Sequence, residues 1–184
     1  MPYAVTHILV PITLTAIFRD FFLSKEKKKK FPLHYVLLAG LGGALPDIDI
    51  LFSFILNLLG FTNWDIHRTF THSISFAAIF FLLFLILLPV RKEARICHLT
   101  RHHLKLSLIF LMIGIGIMTH LLLDASFGEL SYFFYPFSTI PYGTNILSPL
   151  AEEIRRDFML MLDGILLVIW IVYLELKHKI SDFI

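Results

Sequence analysis

The residues able to do chemistry in this chain are a few histidines and aspartates set into apolar surroundings. Gly42-Gly43-Ala44-Leu45-Pro46-Asp47-Ile48-Asp49 places two carboxylates behind a proline at the end of an otherwise membrane-grade run. A carboxylate in hydrocarbon costs roughly 3 kcal/mol or more, so such residues are rare and face a partner or a cavity. Pro46 removes a helical N–H and predicts a break in the helix. The glycines let backbones approach closely. His120-Leu121-Leu122-Leu123-Asp124 has i, i+4 spacing, which puts both polar side chains on one helix face. His67 and His72 flank a loop-to-helix junction, and His7 adds a further nitrogen near the start of the chain.

A mixed imidazole and carboxylate set without thiolate suits a divalent metal, zinc first, with manganese or iron as alternatives. Calcium and magnesium prefer all-oxygen shells. The candidate ligands are His7, Asp47, Asp49, His67, His72, His120 and Asp124, more than one tetrahedral ion needs. A cluster of two or three ions would clamp a phosphate ester or activate water. Asp49, His67 and Arg68 are the candidate catalytic residues. The first two would serve as base or support, and Arg68 would steady an anionic group, with Arg155 and Arg156 as further candidates for that task. Simpler roles compete with these. Asp47 or Asp49 can cap the helix after Pro46. His120 with Asp124 can be a hydrogen bond between packed helices. Asp163 can join the site or merely pair two helices.

The elements that must position these residues are legible from composition. The chain has 184 residues, of which 57% are hydrophobic, and a mean hydropathy of +0.78. Soluble domains hold roughly half apolar residues at most. The apolar runs predict an all-α, polytopic membrane helix bundle forming a single domain over residues 1–184. About five spans are expected, near residues 4–23, 33–60, 70–90, 106–127 and 158–176. The second is longer than the roughly 20 residues needed to cross, so Pro46 splits it and its second piece lies tilted or near the interface. Residues 128–157 form a long aromatic connector, read as an interfacial belt. The single Cys97 rules out an intrachain disulfide and a thiolate-rich metal site. The N-terminus has neither a basic region nor a small-residue cleavage site, so it reads as a span and not as a removed signal peptide.

Lysine and arginine cluster at 25–30, 91–105 and 177–179. Each cluster abuts an apolar span, so nucleic acid is a poor partner and membrane lipid a good one. Five spans put all three clusters on one side. The positive-inside rule makes that side the cytoplasm of the inner or plasma membrane, with the N-terminus outside and the C-terminus cytoplasmic. His34, His98, His102, His103 and His178 then belong to the basic side, away from the site. Asp47 lies about 21 Å and His120 about 22 Å from the basic side at ~1.5 Å per residue. Entering from the other side, His7 sits about 8–10 Å deep. The candidate ligands therefore share one depth, in the outer part of the bilayer.

Thr6-His7, Pro46-Asp47-Ile48-Asp49, His67-Arg68-x-x-Thr71-His72-Ser73, His120-x-x-x-Asp124 and Tyr135-Pro136-Phe137-Ser138 occur in this order over residues 6–138. Together they resemble the YdjM-type predicted membrane-bound metal-dependent hydrolases, a family more distantly similar to the zinc-dependent phospholipases C. The resemblance implies an inner-membrane hydrolase with a His/Asp metal site, and leaves the substrate open. One departure is that the phospholipases carry two HxxxD/E helical pairs, and here only His120/Asp124 has that form. The expected activity is hydrolysis of a phosphoester, in a lipid or lipid-linked substrate, on the outer side. A divalent-cation carrier and a non-catalytic scaffold with a structural metal are the competing readings.

Overall fold

The computed structural model describes residues 3–60, 69–90, 93–95, 103–127 and 131–178. The expected site residues His67 and Arg68 lie outside this set, as do His98 and His102. The architecture is an all-α membrane bundle. Helix α1 (Ala4–Ile17) continues as one π-helical turn, Phe18–Phe22, and a short α2 (Lys25–Lys30) carries the lysine run. Then come α3 (Leu33–Ala44), α4 (Ile48–Leu58), α5 (Ile74–Leu87), α6 (Leu106–Phe127) and α7 (Glu152–His178). Between α5 and α6, β1 (Glu93–Arg95) pairs antiparallel with β2 (His103–Lys105).

Three helices are long and apolar enough to cross a membrane alone: Ala4–Phe22, Leu106–Phe127 and Glu152–Lys177. The bend expected at Pro46 is present, because α3 and α4 meet at 46° and pass the same test only as a pair. Helix α5 is shorter than expected. Its 14 residues cover about 21 Å at ~1.5 Å per residue, less than a ~30 Å hydrocarbon core. The reason lies in the residues before it. Ser73 caps the helix, its Oγ accepting from the Phe76 N–H, so Thr69–Ser73 approach α5 as irregular backbone. Such backbone is tolerated at membrane depth only when protein buries it or it lines a polar cavity. Here His72 and Ser73 are fully buried, and the Ile74 N–H donates to the Phe133 carbonyl at 2.8 Å.

Helices α1, α3 and α6 form the inner layer, with α5 against α6 and α7 against α1. Their packing depends on absent side chains. Gly43 rests on the His7 carbonyl, Gly42 on the backbone of Ile113 and Gly116 on the Ala39 carbonyl. A Cβ at any of the three would collide with that backbone, which cannot rotate aside. Small residues at such crossings are how membrane helices gain close van der Waals contact, since lipid supplies no hydrophobic drive to pair them. Around these contacts pack Tyr35, Ala39 and Met112 on one side and Ala77, Ile117 and Leu121 on another. The outward faces are apolar, with Leu14, Phe21, Leu82, Ile86, Leu122 and Val168 all exposed. That is the pattern of a lipid-facing surface.

The aromatic connector folds back over one end of the bundle. An isolated bridge joins Ser131 to Tyr142, and Ser75 Oγ donates to the Tyr135 carbonyl at 2.6 Å. The Thr144 N–H donates to the Ala125 carbonyl at 2.7 Å, so the connector ties the start of α5 to the end of α6. Phe133 packs inward on Ala77, Ile117 and Leu121, while Phe137 is 89% exposed. The glycine contacts make a direct prediction. Gly116→Ala lowers unfolding stability in detergent by about 1–3 kcal/mol through overpacking. Gly164→Ala on α7, where an added Cβ meets nothing within 4 Å, leaves the melting temperature unchanged or slightly higher.

Candidate metal centre

Each polar side chain of the site is delivered by a different structural device. His7 comes from the second turn of α1. Its helix has no cap from its own sequence, and α7 supplies one instead. The Thr6 N–H donates to Asp163 Oδ1 at 2.9 Å, and the Thr6 hydroxyl donates to the same oxygen. Asp163 is therefore a helix-pairing residue seated beside His7, and neither candidate ligand triad includes it. Asp47 comes from the break after Pro46. It stands at the N-cap position of α4, yet its side chain makes no capping bond. Instead Oδ1 faces His72 Nε2 at 3.4 Å and His120 Nε2 at 3.7 Å. His72 comes from the irregular stretch before α5, and His120 and Asp124 from adjacent turns of α6.

The donors converge. His120 Nε2 lies 3.3 Å from His72 Nε2 and 3.3 Å from Asp124 Oδ2. Asp124 Oδ1 lies 3.3 Å from His7 Nε2. The His7 and His120 rings stack with centroids 3.8 Å apart. Donor atoms at 2.0–2.2 Å from one ion stand roughly 3.3–3.6 Å apart around a tetrahedron. The observed spacings fall at or near that range. Two triads have their ligand atoms within 4.8 Å of one another: His7/His120/Asp124 and Asp47/His72/His120.

Hydrogen bonds behind the ring nitrogens aim them. His120 Nδ1 lies 2.7 Å from the Gly43 carbonyl oxygen, which can only accept, so Nδ1 carries the proton and the Nε2 lone pair points inward. His72 Nδ1 lies 3.2 Å from Asp49 Oδ2, which also accepts from the Thr71 hydroxyl at 2.5 Å. This is the carboxylate–histidine pairing found behind metal ligands. Asp49 thus sits behind His72 and belongs to neither triad. Of the two carboxylates expected as ligands, Asp47 faces the other donors and Asp49 orients His72.

The residues fit a divalent ion for two reasons besides geometry. Both nitrogens of His7, Oδ1 of Asp47 and both oxygens of Asp124 are buried without a hydrogen-bond partner. An unpaired buried polar atom costs about 1–3 kcal/mol, and charged ones more. Among the described residues, Asp47 and Asp124 face only histidines, with no lysine or arginine paired to either. One divalent cation balances these two carboxylates. His120 belongs to both triads but has a single inward lone pair, so the triads are not two independent sites. Asp124, with one oxygen toward each, is the residue able to bridge. The side chain of Asp47 is 20% exposed and those of His7, His72, His120 and Asp124 at most 4%, so the centre opens beside Asp47.

One feature of the site carried no sequence signal of its own, the Gly43 carbonyl, a backbone group; Thr71, named only within the resemblance motif, proves to support Asp49. Arg156 is exposed and pairs with its neighbour Asp157 at 3.5 Å.

These placements rank the variants. His120→Ala removes metal from both triads, and the purified protein then carries none by elemental analysis. Asp49→Asn keeps the ligands and weakens metal affinity about 10–100-fold. If the ion sits in the Asp47/His72/His120 triad, His72→Ala abolishes binding while His7→Ala changes the measured Kd only a few-fold. The reverse ranking assigns the ion to the His7 side.

No curated protein and no solved structure matches the chain. The family model described as YdjM inner membrane protein matches residues 1–183, nearly the whole length. With a membrane helix bundle around a buried His/Asp group, the chain belongs to the YdjM inner membrane protein family.

Proposed function

We propose that this protein is a metal-dependent hydrolase of phosphoester bonds in a lipid or lipid-linked substrate. The observation that carries the reading is the convergence of His7, Asp47, His72, His120 and Asp124, with orienting partners behind His72 and His120 and several donors unpaired. A structural polar cluster in a membrane bundle would satisfy its own hydrogen bonds. A divalent ion in this group, zinc by the donor chemistry, supplies Lewis acidity toward a phosphoryl oxygen and activates water. The chain's own residues do the rest. Gly43 and Asp49 hold the imidazoles in one tautomer and one orientation. The bundle keeps bulk water from all sides but the one beside Asp47. His67 and Arg68 follow the α3–α4 pair in sequence and remain the candidates for acid–base work and for holding the anionic group.

The charge pattern supports an orientation. The lysine-rich α2 and the β1–β2 region lie at the end of the bundle opposite the site. With basic segments held in the cytoplasm, the site faces the outer leaflet, where the exposed aromatics of residues 132–137 meet lipid headgroups. The 46° break carrying Asp47 favours one competing reading, a divalent-cation carrier, because transporters also place carboxylates at broken helices.

One experiment separates the two. The purified protein is assayed with phospholipid and polyprenyl-phosphate substrates, and in proteoliposomes for zinc and manganese uptake. The hydrolase reading expects phosphate or phosphoalcohol release that stops on chelation, returns with added metal and is lost in His120→Ala and Asp47→Ala. Uptake lost in Asp47→Ala without hydrolysis of any substrate identifies a carrier. Near-zero metal in the wild-type protein overturns the hydrolase reading.

A further inference from the structure

The end of the bundle opposite the metal centre holds a cavity of about 470 Å³. It lies between α1 and α6, walled by Leu14 and Phe18 on one side and Leu108, Leu111 and Ile115 on the other. Phe31, the residue after the lysine run, closes its basic end. Sites for small ligands span roughly 300–1,000 Å³ and are mostly apolar. This one falls in that range, with Thr15 its single polar lining residue. From Leu108 to Ile115 the α6 wall rises about 10 Å at ~1.5 Å per residue. The cavity is thus a slot running along the bundle from the basic rim into the apolar layer.

The rim is built and charged. The Arg19 Nε–H donates to the Phe31 carbonyl at 2.9 Å, and Lys28 Nζ donates to the Asp20 carbonyl at 2.9 Å. Arg19 and Asp20 pair at 2.7 Å, so the π-turn, α2 and the slot's end form one unit. Beyond these committed groups, Lys25, Lys27, Lys29, Lys30 and Lys105 are exposed at the same end. Lys105 is fixed beside Tyr35, whose hydroxyl accepts from its backbone N–H at 2.7 Å. An apolar slot at an end that carries several exposed lysines matches one ligand chemistry: an acyl chain joined to an anionic headgroup. A zwitterionic lipid fits the slot but not the rim, and a soluble anion fits the rim but not the slot.

We propose that the α1–α6 slot holds one acyl chain of an anionic phospholipid whose headgroup rests on the exposed lysines of Lys25–Lys30 and on Lys105. The site is separate from the metal centre and does not depend on its chemistry. Each surface lysine attracts anionic lipid by about 1 kcal/mol, a factor of about five in occupancy.

The test uses the full-length protein reconstituted in equimolar phosphatidylglycerol and phosphatidylcholine. It is then extracted gently, and retained lipid is counted by native mass spectrometry. The expected result is retention of phosphatidylglycerol over phosphatidylcholine. Lys27→Gln/Lys29→Gln/Lys30→Gln cuts that preference at least about fivefold. Leu111→Trp, which fills the slot, lowers retention of both lipids while helix content and metal content stay at wild-type values. Should the tryptophan variant misfold, the lysine variant alone decides. Equal retention of the two lipids by the wild type, or a preference unchanged in the lysine variant, overturns the proposal.

Discussion

Everything at the candidate metal centre depends on how closely three helix backbones approach one another. Gly43 touches the backbone of α1 at His7 itself, and Gly42 and Gly116 bring α3 against α6. These contacts fix where His7, the Pro46 break and His120 stand relative to each other. A side chain at any of them would separate the helices by more than a metal–ligand bond can absorb. The same residue also serves twice, since the Gly43 carbonyl orients His120. Packing and ligand orientation are therefore one constraint. The membrane explains why it is met with glycine: without a hydrophobic drive between helices, close contact and hydrogen bonds must hold the bundle.

Much of this was legible in the sequence, for identifiable reasons. Apolar runs report membrane helices because lipid forbids unpaired backbone. Pro46 reports a break because it lacks an N–H. Counting residues from the basic side placed Asp47 and His120 at one depth, and they do meet. What was not legible follows from what a one-dimensional pattern omits. Asp47 and Asp49 are two residues apart at a helix start, where spacing cannot say which faces the centre. The break turns Asp47 inward and leaves Asp49 behind His72. The apolar run beginning at Phe70 reads as helix, yet Ser73 caps α5 and holds His72 in irregular chain just before it. Asp163 reads as a buried carboxylate near the ligands. Only the fold reveals that it caps the helix that carries one of them.

The site also illustrates how buried polarity is managed in such a protein. His72 and His120 each have one nitrogen engaged by a fixed partner, so half of each ring is satisfied within the protein itself. Their Nε2 atoms face each other at 3.3 Å, while both nitrogens of His7, Oδ1 of Asp47 and both oxygens of Asp124 have no hydrogen-bond partner. The bundle thus holds an organised deficit of hydrogen bonds at one end, while at the other Arg19, Asp20 and Lys28 settle their charges against one another. Polar groups of similar cost are closed off at one end and left available at the other.

Helix α7 is fastened to α1 at two heights. Asp163 holds Thr6 near the metal centre, and Tyr173 reaches Asp20 and the Ala16 carbonyl toward the lysine-rich end. Because both positions advance along both helices together, α1 and α7 run in the same direction. Two parallel helices at the beginning and end of a string of passes require an odd number of passes between one face and the other. Length alone qualifies three helices, and a fourth span if the bent α3–α4 pair crosses as one; with that pair counted, an odd total takes in α5, short as it is. Parity, set by the side chains of Thr6, Asp20, Asp163 and Tyr173, thus bears on a count that hydrophobic length leaves even.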